Sequence, residues 1–549
     1  MKNRVSILIL LLFAFHTKAQ DIKVTEVRVT EHFVPSVPQA NKLNEQATFL
    51  DTIKVDKSQK YSIIQHSLRA DYKTRPLKAA KVKAETISKL YGTKISIGTG
   101  FRIGSKATIA HNSNRSKTLS YGVLFNHFNN NVKIDNKLAG RSYNNLHLYA
   151  KTIKKDKIYI ANFDYERIGA FTYGIGTDKK DIKGFENNPF YNRFSYTKFS
   201  LSAISTEREE DKLKHTTTFF VSDLNEFSEN QISLSTNMSK TINNLPFNLE
   251  IELNDYLNYN NKDSKYESSD VKSLHFSPSF SITKFGIDFD LGLELHYLSD
   301  DTPFEIFPQI KMTQEMVKDV LLVYGGIRHS EQRHTIKSLS DKNPYIHSYG
   351  TNQSIVGNNG FVHQLETTDT DELYLAMQNV LGKDEVFNGS IAYGNVRNFA
   401  YFDLLDTLAY KRFVVNYIEV WQLHANATYD KKINNLVSLK INADYYNWNE
   451  KISHKPNITF DISAPINLRD KIKVIPTFSY FGKRNSAVSK KDFKELPTQF
   501  HFNLALQYHY SKILSAYLHL NNLNGSNKEL WRDYQEIGFN CVFGLSYSF

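Results

Sequence analysis

The chain has one cysteine, 13 prolines and 24 glycines in 549 residues, and little in the way of long apolar runs. A single thiol excludes a disulfide scaffold, and so few Pro and Gly exclude collagen-like or linker composition. Beyond the first 20 residues no stretch reaches the roughly 18 apolar residues that a spanning helix needs, which excludes a helical membrane protein. Neither charge sign is scarce, with 68 Lys and Arg against 57 Asp and Glu. That excess is modest and scattered. It suits anionic headgroups or solutes and gives no basic patch for nucleic acid. What is abundant is aromatic: 37 Phe and 32 Tyr in a chain only 41% hydrophobic, with a mean hydropathy of −0.44. So many aromatics exclude disorder. Their combination with a polar average predicts many strands, each with one oily face.

The first residues read as a cleaved export signal, 1–19. Lys2 and Arg4 open it, Val5 to Phe15 is its apolar core, and Thr17-Lys18-Ala19 ends it on a small residue. Cys541 is far from this segment, so no lipid-attachment cysteine follows it.

Residues 94–549 alternate with period two. Phe539, Cys541, Phe543, Leu545, Tyr547 and Phe549 share one face at the C-terminus. Ile287 to Leu295 and Phe247 to Leu253 repeat the pattern with Asp288, Asp290, Glu294, Glu250 and Glu252 on the opposite face, and Val437 to Tyr445 does so with Lys440 and Asp444. A soluble sandwich alternates too, but its strands are typically about five or six residues long. Many of these runs match the roughly 9–11 residues that cross a bilayer at a steep tilt. We count 22 candidate strands. Connections after even-numbered strands are mostly short. Those after odd-numbered strands include all the long ones, at 167–192, 256–270, 329–370, 396–412, 483–497 and 524–535. The fold class is therefore all-β, a transmembrane antiparallel barrel with tight turns at one end and long loops at the other. Closure leaves no strand edge in hydrocarbon. Glu250, Glu252, Asp288, Asp290, Glu294, Lys440 and Asp444 then face the lumen, where mutual salt bridges are a simpler expectation than a solute site. Tyr297, Trp448, Tyr480, Phe481 and Tyr510 fall near strand ends, where interfacial girdles form. Lipid and lipopolysaccharide are the expected surroundings.

The segment Leu520-Asn521-Asn522-Leu523-Asn524-Gly525, then Trp531, Tyr534, Gly538 and the closing Leu545-Ser546-Tyr547-Ser548-Phe549, resembles the C-terminal end of TonB-dependent receptors. The strand count resembles that family's barrel as well. The resemblance implies an outer-membrane barrel for solute passage or uptake in a Gram-negative-type cell. Phe543, Leu545, Tyr547 and Phe549 would be its signal to the barrel-insertion machinery. Val24-Thr25-Glu26-Val27-Arg28-Val29 resembles the short box such receptors offer to TonB, and an extended segment of that kind can add as a strand to a partner's sheet. The family also carries a plug of well over a hundred residues, whereas only 20–93 precede the first strand here. That stretch reads as a periplasmic or lumen-inserted arm, and the whole as a receptor-like barrel without a full plug. A lumen of this width needs obstruction, by the arm or by the 329–370 loop folded into the mouth.

No Gly-x-Ser-x-Gly or His-Glu-x-x-His motif occurs, and no catalytic residue or cofactor is expected. His329, His334, His347 and His363 fall in the 329–370 stretch, with Asp369, Asp371 and Glu372 at its end, but their spacing matches no metal loop. Two functions fit: a transport protein, or a blocked barrel acting as a membrane-anchored subunit that holds partners such as surface lipoproteins.

Overall fold

A computed structural model describes residues 91–549 except 114–115, 135–136, 174–190, 210, 226–228, 258–269, 300–303, 347–364, 406–411 and 490–491. The signal 1–19, the Val24–Val29 box and nearly all of the arm therefore lie outside the described residues, as do His347 and His363. Among the described residues no helix is long and apolar enough to cross a membrane.

The chain crosses back and forth in antiparallel strands. In order they are β1 (Thr93–Gly100), β2 (Ile103–Asn112), β3 (Leu119–Asn130), β4 (Arg141–Ile153), β5 (Lys157–Phe171), β6 (Tyr191–Ser205) and β7 (Lys214–Leu224). There follow β8 (Glu229–Ile242), β9 (Leu245–Leu257), β10 (Val271–Lys284), β11 (Ile287–Leu298), β12 (Glu305–Val317) and β13 (Leu321–Arg333). After the short helix α1 (Ile336–Lys342) come β14 (Thr367–Gly382), β15 (Glu385–Leu405), β16 (Arg412–Lys432) and β17 (Ser438–Trp448). The last are β18 (Ile458–Ser463, resuming as Ile466–Leu468), β19 (Ile472–Phe481), β20 (Gln499–His509), β21 (Leu514–Asn521) and β22 (Asn540–Ser548). Both halves of β18 pair with β19, so the break at Ala464-Pro465 interrupts one strand and the total is 22.

The sheet closes on itself. β1 pairs with β22 from Lys94↔Ser548 to Thr99↔Phe543, so neither terminal strand keeps a free edge. Connections after even strands are mostly tight. Asn243 and Asn244 between β8 and β9 both take positive φ (51° and 64°), the backbone that a two-residue hairpin matched to strand twist requires. Connections after odd strands include the long ones, as the sequence pattern predicts.

One face of the wall is apolar and exposed. Phe543 and Leu545 are 58% and 61% exposed, and Leu293, Leu373, Leu375, Phe502 and Tyr508 share that character. On a barrel crossing lipid this is the band that meets the acyl chains.

Two expectations need correction. The 396–412 stretch is not mainly loop, because β15 runs on to Leu405. Its register against β16 slips between Val396 and Phe399, where Asn398 adopts φ 49°. That bulge breaks the alternation and hides the rest of the strand. Trp448 is not a girdle residue. It stacks on Tyr446 at 5.4 Å and 3°, donates to Gln422 Oε1 at 2.9 Å, and lies on the polar side of β17.

Candidate functional site in the barrel mouth

The long-loop end of the barrel is closed from within by the chain that follows β13. Thr335 caps α1: its hydroxyl accepts from the Ser338 N–H at 3.1 Å, while Ser338 Oγ accepts from the Thr335 N–H at 2.9 Å. Glu229, at the start of β8, accepts from the Ile336 and Lys337 N–H groups at 2.7 and 3.3 Å, satisfying donors that a helix start leaves orphaned. Lys337 Nζ reaches Glu166 on β5 and Asp341, each at 2.7 Å. Burial works against this ammonium, but Asp341 and Glu166 outweigh it and hold its pKa above the ordinary lysine value.

Beyond α1, Asn192 on β6 donates to the carbonyls of Pro344 and Ile346 at 2.9 and 2.8 Å. Arg141 on β4 donates to Tyr345 Oη at 3.0 Å and lies over its ring. Phe413 on β16 donates its N–H to the Tyr345 carbonyl at 3.1 Å. A segment that meets β4, β5, β6, β8 and β16 together crosses the inside of the cylinder. The inner face of the wall is thereby fixed as the one bearing Arg141, Glu166 and Asn192.

Around this strap the mouth is packed like a domain core. Tyr345, Leu339, Phe413 and Tyr534 are 1%, 1%, 0% and 1% exposed and belong to one cluster with Tyr173, Phe194 and Phe402. The ribbon between β21 and β22 (Glu529–Trp531 with Tyr534–Gln535) supplies Tyr534, whose ring centroid lies 4.0 Å from that of Tyr345. A second ribbon, Arg484–Ala487 with Phe493–Leu496, is tied to the first by Arg484, which donates to the carbonyls of Leu530 and Glu529 at 2.7 and 3.1 Å.

Two neutral histidines sit in this cap. His454 donates Nδ1–H to the Phe402 carbonyl (2.9 Å) and accepts the Arg532 N–H on Nε2 (3.2 Å). Burial, with Arg484 and Arg532 adding repulsion, pushes its pKa down to about 4. His334 faces Thr368 Oγ1 at 2.7 Å; that hydroxyl donates to the Asn398 carbonyl and so accepts from His334 Nε2–H. Burial first, then Lys342, Lys455 and Arg333, push His334 down to about 3. Burial beside Lys342 likewise brings Lys455 down to about 8.

The charged residues expected in the lumen find polar partners on their own strand and on the strands beside it. Asp288 accepts from Thr283 at 2.6 Å and Asp290 from Ser281 at 2.5 Å, with Lys311 3.7 Å away. Glu252 accepts from Asn254 at 2.9 Å, and Lys440 lies 3.8 Å from Asp430. Asp444 gathers Asn426, Asn442 and His424 at 2.8, 3.0 and 3.1 Å. Glu250 and Glu294 line one cavity of ≈ 450 Å³ with Lys214, His275 and Gln309. The expected histidine loop is shorter than 329–370: His329 lies on β13, and Asp371 faces it from β14, where Asp369 and Glu372 lie opposite Glu331 and Arg328. The sequence carries no local sign of Arg141, Asn192, Glu229 or Tyr345 as closing residues, because their partners lie a hundred or more positions away.

No protein-family model matches the sequence, and no curated protein matches it. Solved structures do. A ferric enterobactin receptor of Pseudomonas aeruginosa superposes with a TM-score of 0.60 at 11% identity, over 84% of this chain and 81% of that one. The siderophore receptor PirA of Acinetobacter baumannii gives 0.60 at 11%, over 85% and 81%. The FrpB iron transporter of Neisseria meningitidis gives 0.61 at 9%, over 84% and 82%. At such identities the likeness is one of fold, a closed 22-stranded antiparallel barrel.

Proposed function

We propose that this protein is an outer-membrane β-barrel for solute uptake of the TonB-dependent receptor kind, with its cell-surface mouth closed at rest by the strap 334–346. The observation that carries this reading is a sealed 22-stranded wall with a polar inner face and a closure made by loops, the strap foremost, rather than by the wall itself. The fold shared with named receptors and an iron transporter supports it. In this reading 1–19 is the export signal, 20–93 is a periplasmic or lumen-inserted arm, and Val24–Val29 is the segment it offers to TonB. Phe543, Leu545, Tyr547 and Phe549, exposed along β22 and at its end, address the insertion machinery. The inner charges line the wet route, and lipid and lipopolysaccharide surround the apolar band.

The test is planar-bilayer conductance of four forms: the full chain, the chain without 20–93, the chain with 336–345 replaced by Gly and Ser, and the double variant. Current should appear once both obstructions are gone. Silence in all four would overturn the uptake route. One observation favours a second reading, a membrane-anchored subunit with a sealed mouth that binds partners: the cap is packed as tightly as a protein interior.

A further inference from the structure

A cluster of imidazoles and carboxylates lies where the wall becomes double. β12 and β13 stop pairing above Ile310↔Ile327, whereas β11 and β12 stay paired up to His296↔Glu305 and β13 and β14 up to Arg333↔Thr367. By alternation His329 and Glu331 fall on the face of Ile327 and Leu373. Yet His329 stacks on Phe307 (3.6 Å, 5°), and Glu331 Oε2 lies 2.7 Å from His296 Nδ1, on the inner face of β11 and β12. Both hold because the upper β13–β14 ribbon is tucked inside the barrel, its outward face laid against the inward face of β11–β12.

From this cluster we propose a binding site for a divalent cation of the borderline class, with Zn²⁺ as its representative, held by His296 Nδ1, His329 Nε2 and the Glu331 carboxylate. Ligand atoms of these three residues lie within 4.8 Å of one another. Each imidazole has a carboxylate behind its other nitrogen. His329 Nδ1 lies 2.7 Å from Asp371, and His296 Nε2 lies 3.4 Å from Glu294, which also accepts from Gln309 at 3.0 Å. A carboxylate in that position fixes the tautomer and raises the basicity of a metal-binding histidine. His329 is 5% exposed, and its Nε2 has no hydrogen-bond partner; nor has Glu331 Oε1. Unsatisfied buried acceptors of this kind are costly unless something positive occupies the space between them. The surroundings are rich in carboxylates: Glu305, Asp369 and Asp371 gather around the Arg397 guanidinium at 3.3, 4.0 and 3.7 Å. Two imidazoles and one carboxylate suit Zn²⁺-like ions better than Ca²⁺ or Mg²⁺, which take all-oxygen sets. A cavity of ≈ 450 Å³ reaches Glu294 and Gln309, the pair behind His296 Nε2. The site leaves coordination positions for water or a bound solute. Its existence is independent of whether the barrel conducts.

The experiment uses the purified full-length protein in detergent, stripped with chelator, then titrated with Co²⁺ and with Zn²⁺ alone. One ion per chain should be retained after gel filtration, with Co²⁺ giving visible absorption bands that Zn²⁺ abolishes. E331Q and H329A should lose retention while keeping the heat-modifiable gel mobility of a folded barrel. D371N, which removes only the orienting carboxylate, should weaken binding by about 10–100-fold. H275A should bind like the parent chain. Failure of the parent chain to retain Co²⁺, or retention unchanged in E331Q and H329A, would overturn the site and leave His296 and Glu331 as an ion pair only. Loss in H275A equal to that in H329A would overturn the assignment by moving the ion to His275, Glu294 and His296.

Discussion

At the scale of single residues the cap depends on side chains that are buried in one protonation state. His454 and His334 are held neutral, with pKa values of about 4 and about 3 in the folded chain against an ordinary 6.5. Between those values and 6.5 the unfolded chain binds protons that the folded cap refuses. The stability they contribute is therefore complete above pH 6.5 and is lost as pH falls through this window, by roughly 3 kcal/mol for His454. The unfolding temperature should be lower at pH 5 than at pH 7, and H454Q should flatten part of that slope. Greater stability at pH 5 would contradict the assignment. Tyr345 makes a different prediction. Removing its hydroxyl in Y345F leaves the half-buried Arg141 without the acceptor it donates to, at a cost of about 1.5–3 kcal/mol. Protection of the 334–346 amides against hydrogen exchange should drop while that of the strands stays level.

At the scale of elements, what could be read in advance and what could not follow from the distance over which each is decided. Alternation in β11, β20 and β22 is local, because lipid on one side and water on the other select every second residue. The parity of loop lengths was legible for the same reason. The bulge at Asn398 was not, since it shifts the pattern by a residue and makes a strand resemble a loop. The strap was foreseeable only as one of two ways to obstruct a wide lumen. Its actual partners, Glu229 at 107 positions from Ile336 and Arg141 at 204 from Tyr345, have no signature in the segment itself. The pairing of His296 with Glu331 was equally hidden, because it joins β11 and β13, which are not neighbours in the wall and meet only where β13 has parted from β12. The seam between β1 and β22 is an element with a strict steric requirement. Gly98 faces Gly544, and a Cβ on Gly98 would lie 2.7 Å from the Phe543 carbonyl oxygen and 2.4 Å from Tyr517 Oη. The backbone cannot yield there as a flexible side chain could, so G98V should prevent clean closure. Unheated gel electrophoresis would show it, with the compact fast-migrating species reduced relative to the parent chain; an unchanged ratio would argue against a tight seam.

At the scale of the whole molecule, a barrel with a packed mouth divides its stability between two regions with different solvents. The wall is held by strand pairing and turns its apolar face outward, while the cap is held by burial of aromatic side chains in a protein interior. Cap-loosening changes should therefore alter permeability well before they unfold the wall. Replacing 336–345 should leave the β-content by circular dichroism nearly unchanged while admitting small ions, provided 20–93 is also absent.

The seam has one more consequence, for biogenesis. Ser96 and Ser546 hydrogen-bond across it though they are 450 positions apart. The opening strand must wait for almost the entire polypeptide to emerge before it meets its mate. Until that moment the nascent sheet has two raw borders, and a transcript shortened at its 3′ end would yield a product with no way to seal itself.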